Sequence, residues 1–133
     1  MFCAIIAGAR PADVVLTEPD AVAFLDIKPL FKGHVLVAPR AHIATLPDGP
    51  EGTLAPLFGA VQRVARAVEE VLGAHGSFVA INNKVSQSVP HLHVHVVPRR
   101  RKDGLKGFFW PREPYAGDAE REEIAARLRA ALR

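Results

Sequence analysis

Residues 91–97 read His91-Leu92-His93-Val94-His95-Val96-Val97, three histidines alternating with bulky apolar side chains. In an extended strand successive side chains point to opposite faces, so the three imidazoles share one face. Leu92, Val94 and Val96 take the other face and anchor it in a core. A helix would rotate the rings apart by about 100° per residue, and β-branched valines favour a strand. Neighbouring rings are then expected roughly 7 Å apart, two strand rises. Histidine changes charge near neutral pH and serves there as base, nucleophile or metal ligand.

Three uses of such a row compete. The plainest is a strand with three half-exposed polar positions; strict alternation beside an arginine run speaks against it. The second is a metal site. Histidines at i and i+2 of a strand can reach one zinc, with His34 and His42 as further donors. A closed structural site wants four ligands, often cysteines, and this chain has one cysteine and no acidic cluster near the row. The third is nucleophilic catalysis at phosphorus. A neutral imidazole nitrogen takes a phosphoryl-type group and later yields it to water, splitting one hard step into two. Donors must then meet the non-bridging oxygens, and an acid must protonate the leaving group. The polar loop before the strand offers Asn82, Asn83, Gln87 and Ser88 as donors.

The elements that position this row are legible as periodicities. Phe2 to Gly8 suggests a short helical turn. Val14–Thr17 and Ala21–Ile27 read as two strands joined by Glu18-Pro19-Asp20, a hairpin turn. His34–Ala38 is a third strand closed by Pro39. A long helix follows, with Leu54, Leu57, Phe58, Val61, Val64, Ala65, Val68, Val71 and Leu72 at three-and-four spacing. Thr53 is its expected N-cap, Pro56 falls in its first turn, and Gly73 stops it. Ser77–Asn82 is the fourth strand and His91–Val97 the fifth, fenced by Pro90 and Pro98.

The stretch 99–117 reads as irregular and holds Phe108, Phe109, Trp110, Pro111 and Pro114. A last helix is expected over about Ala119–Leu132. Asp118 is its cap, acidic residues open it and arginines close it, with Ile124, Leu128, Ala131 and Leu132 as its stripe. The order β-β-β-α-β-β-α predicts an α+β domain, an antiparallel sheet with helices packed on it.

The 133 residues fit one domain, 1–133, with a C-terminal extension and helix at about 99–133. With 49% apolar residues the chain is globular and not disordered. Cys3 alone forms no intrachain disulfide, which fits a reducing, cytoplasmic setting. Met1–Ala9 is short and lacks a basic flank, so it reads as neither signal peptide nor membrane span. Net charge is +3 and the isoelectric point near 9.4. Arg99, Arg100, Arg101 and Lys102 follow the histidine strand directly, with Lys106 and Arg112 behind. Such a run is either a solvated loop or an electropositive mouth for an anionic substrate.

The segment His91–Val97 resembles the histidine triad (HIT) motif, His-φ-His-φ-His-φ-φ with φ apolar, and Gln87-Ser88-Val89 resembles the Gln-Ser/Thr-Val that precedes it. Ala23–Ile27 is similar to the family's ribose-binding strand. Gly33–His42 is similar to its Gly-His-x-Leu-Val-x-Pro-x-x-His segment, and Phe2–Ile6 to its Phe-Cys-x-Ile segment. The likeness covers roughly residues 1–100, with the segments in the family's order.

The resemblance implies attack on a nucleotide α-phosphate. His93, the middle histidine, would be the nucleophile and form a nucleotidyl-imidazole, a phosphohistidine-type intermediate that water opens to release a nucleoside monophosphate. His95 and His91 would contact phosphate or hold the geometry, with His34 supporting the row from the adjacent strand. Gln87 and Ser88 would bind phosphate and the leaving side, and Asp26 the ribose hydroxyls. Phe2, Ile5, Phe24 and Ile27 would line the base pocket, although plain core packing also explains these four.

The family fold is a five-stranded antiparallel sheet with two main helices, assembled as a homodimer on the long helix. The expected substrate is a small nucleotide with an AMP or GMP moiety. The Bacterial branches of the family that carry Cys-x-x-Cys bind zinc with the equivalent of His42 and one triad histidine. Cys3 matches the second cysteine, and the first would fall before Met1, so no metal ligand is assigned. No cofactor is required by this reading, zinc is not expected, and magnesium is the ion some branches use. The family's glycine-rich loop before Gln-Ser reads here Asn82-Asn83-Lys84-Val85-Ser86, without glycine.

Two leaving groups fit, an amine from a nucleoside phosphoramidate or a phosphate chain from a dinucleoside polyphosphate. Arg99, Arg100 and Lys102 incline the reading to the polyphosphate, with Lys106–Arg112 and Trp110 shaping the choice. The alternatives are a nucleotide-binding regulatory protein with little turnover and a hydrolase of adenylated nucleic-acid ends. The first is opposed by an intact row. The second is opposed by the lack of a zinc finger or long basic arm.

Overall fold

The computed structural model describes residues 1–105 and 112–132; the expectations placed on Lys106–Pro111, Trp110 among them, lie outside the described residues. The chain divides into two compact units, Met1–Asp103 and Gly104–Arg133. The first runs α1 (Phe2–Ile6), β1 (Val14–Thr17), β2 (Ala21–Leu25), β3 (Val35–Pro39), α2 (Glu51–Leu72), β4 (Gly76–Ala80) and β5 (Val94–Arg99). A 3-10 turn at Leu46–Asp48, which no periodicity announced, precedes α2. The second unit contains α3 (Asp118–Ala131). No helix among the described residues is long and apolar enough to cross a membrane.

The sheet is antiparallel throughout, in the order β1-β2-β3-β5-β4. Its two faces follow from the alternation of side chains. Ala21, Ala23, Val35, Val37, Val94 and Val96 face α2, which answers with Leu57, Ala60, Val61, Val64 and Val68. Those five recur at three-and-four spacing, so one stripe of α2 is buried. Phe58 and Val71, counted with the stripe in the sequence, are exposed. On the opposite face Val22, Phe24 and Leu36 form a second cluster with Phe2 of α1. The histidine row lies on this second face, because His95 stands opposite Leu36.

Several boundaries differ from expectation for local physical reasons. α2 starts at Glu51 with Pro50 in the capping position, not at Thr53, because proline presets the entry dihedral and Glu51 suits the helix dipole. Pro56 therefore sits past the first turn, where its missing N–H leaves the Gly52 carbonyl without its helical partner. Gly73 ends the helix at φ +66°, as expected. Arg100 donates from its guanidinium to the Leu72 carbonyl at 2.6 Å and so caps that end. α3 begins at Asp118 with Gly117 as the cap, and none of its residues is buried.

β5 is displaced most. It pairs only from Val94, not from His91, and continues through Pro98 to Arg99. β3 matches Val35–Val37 with Val94–Val96, then departs. The next ladder-like bond runs from Leu92 N–H to the Ile43 carbonyl at 2.6 Å. His91 and His93 thus stand on extended chain held by residue 43, just ahead of the strand that holds His95.

Candidate functional site

The three histidines of the row and His34 are brought together at the start of β5. His34, His91 and His93 are buried, with 3%, 2% and 5% of their surface exposed. His95 is half-buried. The His93 and His95 ring centroids are 4.9 Å apart with planes at 63°. That is closer than the expected strand spacing, because the rings lean edge to face.

Backbone carbonyls assign protons to two of the rings. His93 Nδ1 lies 2.7 Å from the His91 carbonyl, which can only accept, so Nδ1 carries the hydrogen. A neutral His93 then holds its lone pair on Nε2. His91 Nε2 donates to the Pro39 carbonyl at 2.9 Å, so its lone pair is on Nδ1. His34 Nε2 and His95 Nδ1 are 3.0 Å apart, and Asp26 Oδ2 lies 3.8 Å from His34 Nε2.

Burial sets the charge state of this group. Burial pushes His95 down to about 4, helped by the neighbouring His93 and His34 and opposed by Asp26. Burial also lowers His34, against the pull of Asp26, with His93 lowering it further. Burial lowers His91, while its bond to the Pro39 carbonyl opposes the shift. His34 and His95 are therefore neutral in the folded protein near pH 7.

A stability consequence follows. Both groups have folded values below the 6.5 of an unfolded histidine, so the unfolded chain takes up protons first as pH falls. Their contribution is intact above 6.5 and is lost as pH falls through the His95 value of about 4. The thermal midpoint is expected to decline across that window, with a shallower decline in His95→Asn. Equal slopes in the two proteins would contradict it.

The apolar residues expected at a base pocket divide. Phe2 meets His93 edge-on at 4.9 Å and Phe24 at 5.3 Å, and Ile5 packs on the same cluster. Ile27 is 84% exposed, because β2 ends at Leu25 and the chain turns away before it. Asp26 is half-buried beside His34, with its Oδ1 accepting from Lys28 N–H at 2.8 Å.

The loop 82–90 is stapled to the segment before α2. Asn83 Oδ1 accepts from Leu46 N–H at 2.8 Å, and Gln87 Nε2 donates to the Ala44 carbonyl at 2.7 Å. Gln87 Oε1 accepts from Lys84 N–H at 2.9 Å. These two side chains therefore brace the loop, while Asn82 and Ser88 are exposed. Lys84 and Ser86 adopt left-handed φ values of 67° and 61°, the conformation glycine would supply in a glycine-rich loop. Non-glycine residues held there store strain, a feature that clusters at functional sites.

One group that the sequence reading weighed and set aside is assembled in the structure. Cys3 Sγ lies 3.4 Å from His42 Nδ1 and 3.4 Å from His91 Nδ1. The three donor atoms lie within 4.8 Å of one another. The sequence reading assigned no metal ligand because the first cysteine of the Cys-x-x-Cys pair is missing; the resemblance had pointed to Cys3, His42 and one triad histidine, and the structure identifies that histidine as His91. Their chemistry fits zinc: one thiol, two imidazole nitrogens, and a second-shell carbonyl of Pro39 orienting His91.

The basic run has partners of its own. Arg99 holds Asp103 through Nε at 2.6 Å, and Arg100 caps α2. An apolar groove of about 610 Å³, bordered by Leu16, Leu25, Val64 and Val68, opens on the α2 face of the sheet, away from the histidines.

A HIT domain model matches residues 7–102. The chain belongs to the HIT family. It is 39% identical over 137 residues to a HIT-like protein of Mycobacterium tuberculosis, covering 99% of this chain and 92% of the relative. An adenosine 5'-monophosphoramidase of Schizosaccharomyces pombe is 31% identical, covering 97% and 98% of the two chains. A bis(5'-nucleosyl)-tetraphosphatase of the same yeast is 39% identical over 85 residues, covering 62% of this chain and 47% of that one. Among solved structures, a Streptococcus mutans protein superposes with a TM-score of 0.89 at 34% identity, covering 100% of this chain and 85% of the other. A zinc-bound histidine triad family protein from Mycobacterium smegmatis gives 0.75 at 38% identity, covering 98% and 95%. The HIT fold of this chain is the α+β architecture that the sequence led us to expect.

Proposed function

We propose that this HIT protein is a nucleotide hydrolase that attacks an α-phosphate through His93 Nε2. The observation that supports it is the His93 Nδ1–H bond to the His91 carbonyl, which leaves Nε2 with its lone pair. In the first step the Nε2–P bond forms and the bond from phosphorus to the leaving group breaks. The leaving group takes its proton from solvent water, and the neutral His95 Nε2–H is the adjacent hydrogen-bond donor to it. In the second step water attacks phosphorus, the N–P bond breaks, and a nucleoside monophosphate is released. Asp26 would take the ribose hydroxyls, and Phe2, Ile5 and Phe24 the base side. Ser88 and Asn82 are the exposed loop donors for phosphate oxygens. Pairing of two copies through α2, whose Phe58 and Val71 stay exposed, belongs to the same reading.

We place the leaving group as an amine, so the substrate is a nucleoside phosphoramidate. The inclination to polyphosphate rested on Arg99, Arg100 and Lys102, and two of these cations are engaged by Asp103 and by the end of α2. The relative named a phosphoramidase also matches over nearly its whole length. Turnover of an adenosine phosphoramidate and of diadenosine tetraphosphate, measured side by side, tests both levels. Faster cleavage of the polyphosphate reverses the leaving group. No cleavage of either, with AMP still bound, replaces the hydrolase with a binding protein.

Zinc on Cys3, His42 and His91 belongs to the same proposal, as a structural ion that ties α1 to the histidine row. The purified chain is expected to hold about one zinc per protomer, and Cys3→Ser to lose it, as metal analysis would show. Equal zinc in both proteins would remove this assignment.

A further inference from the structure

The loop from Asp26 to Gly33 is stitched to its own ends. Asp26 N–H donates to the His34 carbonyl at 2.9 Å, and His34 N–H to the Phe31 carbonyl at 3.0 Å. Lys28 N–H donates to Asp26 Oδ1 at 2.8 Å. Gly33 turns the chain at φ +94°, and a Cβ there would collide with Leu72 Cδ1 at the end of α2. The loop is thus held in one path by its own bonds and by the helix behind it.

That path places Leu30 N–H 3.1 Å from His34 Nδ1. An amide N–H can only donate, so Nδ1 must offer its lone pair. A neutral His34 therefore carries its proton on Nε2. That nitrogen is 3.0 Å from His95 Nδ1 and donates to it. His95 Nδ1 is then the acceptor, and a neutral His95 carries its proton on Nε2. The opposite tautomer of His34 would set two donors against each other at Leu30. It would leave two lone pairs facing each other at the second junction, or move the His95 proton to Nδ1. Asp26 Oδ2, at 3.8 Å from His34 Nε2, reinforces the same polarity, because its charge favours a proton there.

We propose that the Leu30 main-chain amide and His34 form a tautomer lock that holds His95 in its Nε2–H form, as a donor beside the His93 nucleophile. His34 is in this sense a positioning residue acting through His95. The lock gives adjacent rings complementary roles. His93 presents a lone pair on Nε2, and His95 presents a hydrogen on Nε2. A row of three chemically identical side chains thereby acquires a nucleophile and a hydrogen-bond donor without a charged imidazolium. The neutrality of His95 near pH 7 agrees, since its folded value is about 4. The catalytic consequence rests on the proposed hydrolase; the tautomers do not.

The test uses the full chain labelled with ¹⁵N-histidine, and reads long-range ¹H–¹⁵N couplings near pH 7. His34 and His95 are expected to show protonated Nε2 and bare Nδ1, and His93 the reverse. A native spectrum with Nδ1–H on His34 or His95 overturns the proposal with no substitution made. His34→Gln can accept from Leu30 and donate to His95, so it is expected to keep the His95 tautomer. His34→Phe can do neither, and Leu30→Pro removes the amide hydrogen at the cost of an exposed side chain. Each is expected to turn His95 into a mixture of tautomers. His34→Phe should also lose about 100-fold in kcat with KM little changed. A His95 that stays purely Nε2–H in either of these two folded variants overturns the lock. Correct tautomers without turnover would sink the hydrolase and leave the lock standing. Turnover with the wrong tautomers would do the opposite.

Discussion

His93→Ala is expected to lose at least about 10⁴-fold in turnover, in line with removal of a nucleophile whose partners cannot replace it. The carbonyl of His91 holds His93 Nδ1–H at 2.7 Å, so the ring is aimed and, when neutral, keeps its lone pair on Nε2. No neighbour repeats that arrangement. His91 has its lone pair on Nδ1, close to Cys3 and His42. His95 is paired to His34 through its own Nδ1. A neighbouring imidazole therefore lacks either the free lone pair or the aim to take over. The space left by the alanine abuts Phe2, which is 5% exposed, and Asp26 and the loop donors themselves are unchanged. Binding of AMP to the variant is accordingly expected to stay within about threefold of the native chain. Calorimetric titration beside a turnover assay reads the two effects separately. Residual turnover within tenfold of native would remove His93 from the role of nucleophile.

Leu92→Ala is expected to cost about 3–4 kcal/mol of folding stability, within the range for a fully buried leucine. Leu92 has no exposed surface and belongs to the cluster under α2 with Leu57, Val61 and Val94. It sits between His91 and His93, so the side chain that roots the row is also a keystone of the core. Its N–H donates to the Ile43 carbonyl, the bond that holds this stretch of chain where the β5 ladder has not yet begun. Denaturant unfolding gives the free energy. The same variant is expected to lose activity beyond its loss of folded protein, because the row loosens. Leu57→Ala, buried in the same cluster but remote along the chain, controls for simple destabilisation. If the two variants retain equal activity per folded molecule, Leu92 does no more than fill space.

The loop before the row shows how a sequence departure can conserve a shape. Asn82–Ser86 lacks the glycines that the family resemblance led us to expect, yet Lys84 and Ser86 take the left-handed angles glycine would take. Gln87 and Asn83, read from the sequence as phosphate donors, are the braces that make this affordable, through Lys84, Ala44 and Leu46. The basic run is a parallel case. Arg100 reads as an anion-attracting charge in one dimension and as a helix cap in three.

The local periodicities belong to the sequence itself. Alternation at 91–97 placed three imidazoles on one face, because a strand's side chains alternate whatever surrounds them. Spacing of three and four over Leu54–Leu72 marked the stripe of which Leu57, Val61, Val64 and Val68 are buried, and Glu18-Pro19-Asp20 the first hairpin. Gly33 and Gly73 stand where positive φ requires them. What lay beyond the sequence is every relation that depends on the path of the chain between elements. Strand register placed His34 beside His95, 61 residues away, and a backbone turn aimed Leu30 at its far side. The course of α1 and of the chain after β3 gathered Cys3, His42 and His91 across 39 and 88 residues. Periodicity is a short-range property of bonded neighbours, whereas proton placement and metal geometry are set by atoms a few ångströms apart in space, and only tertiary packing brings those together.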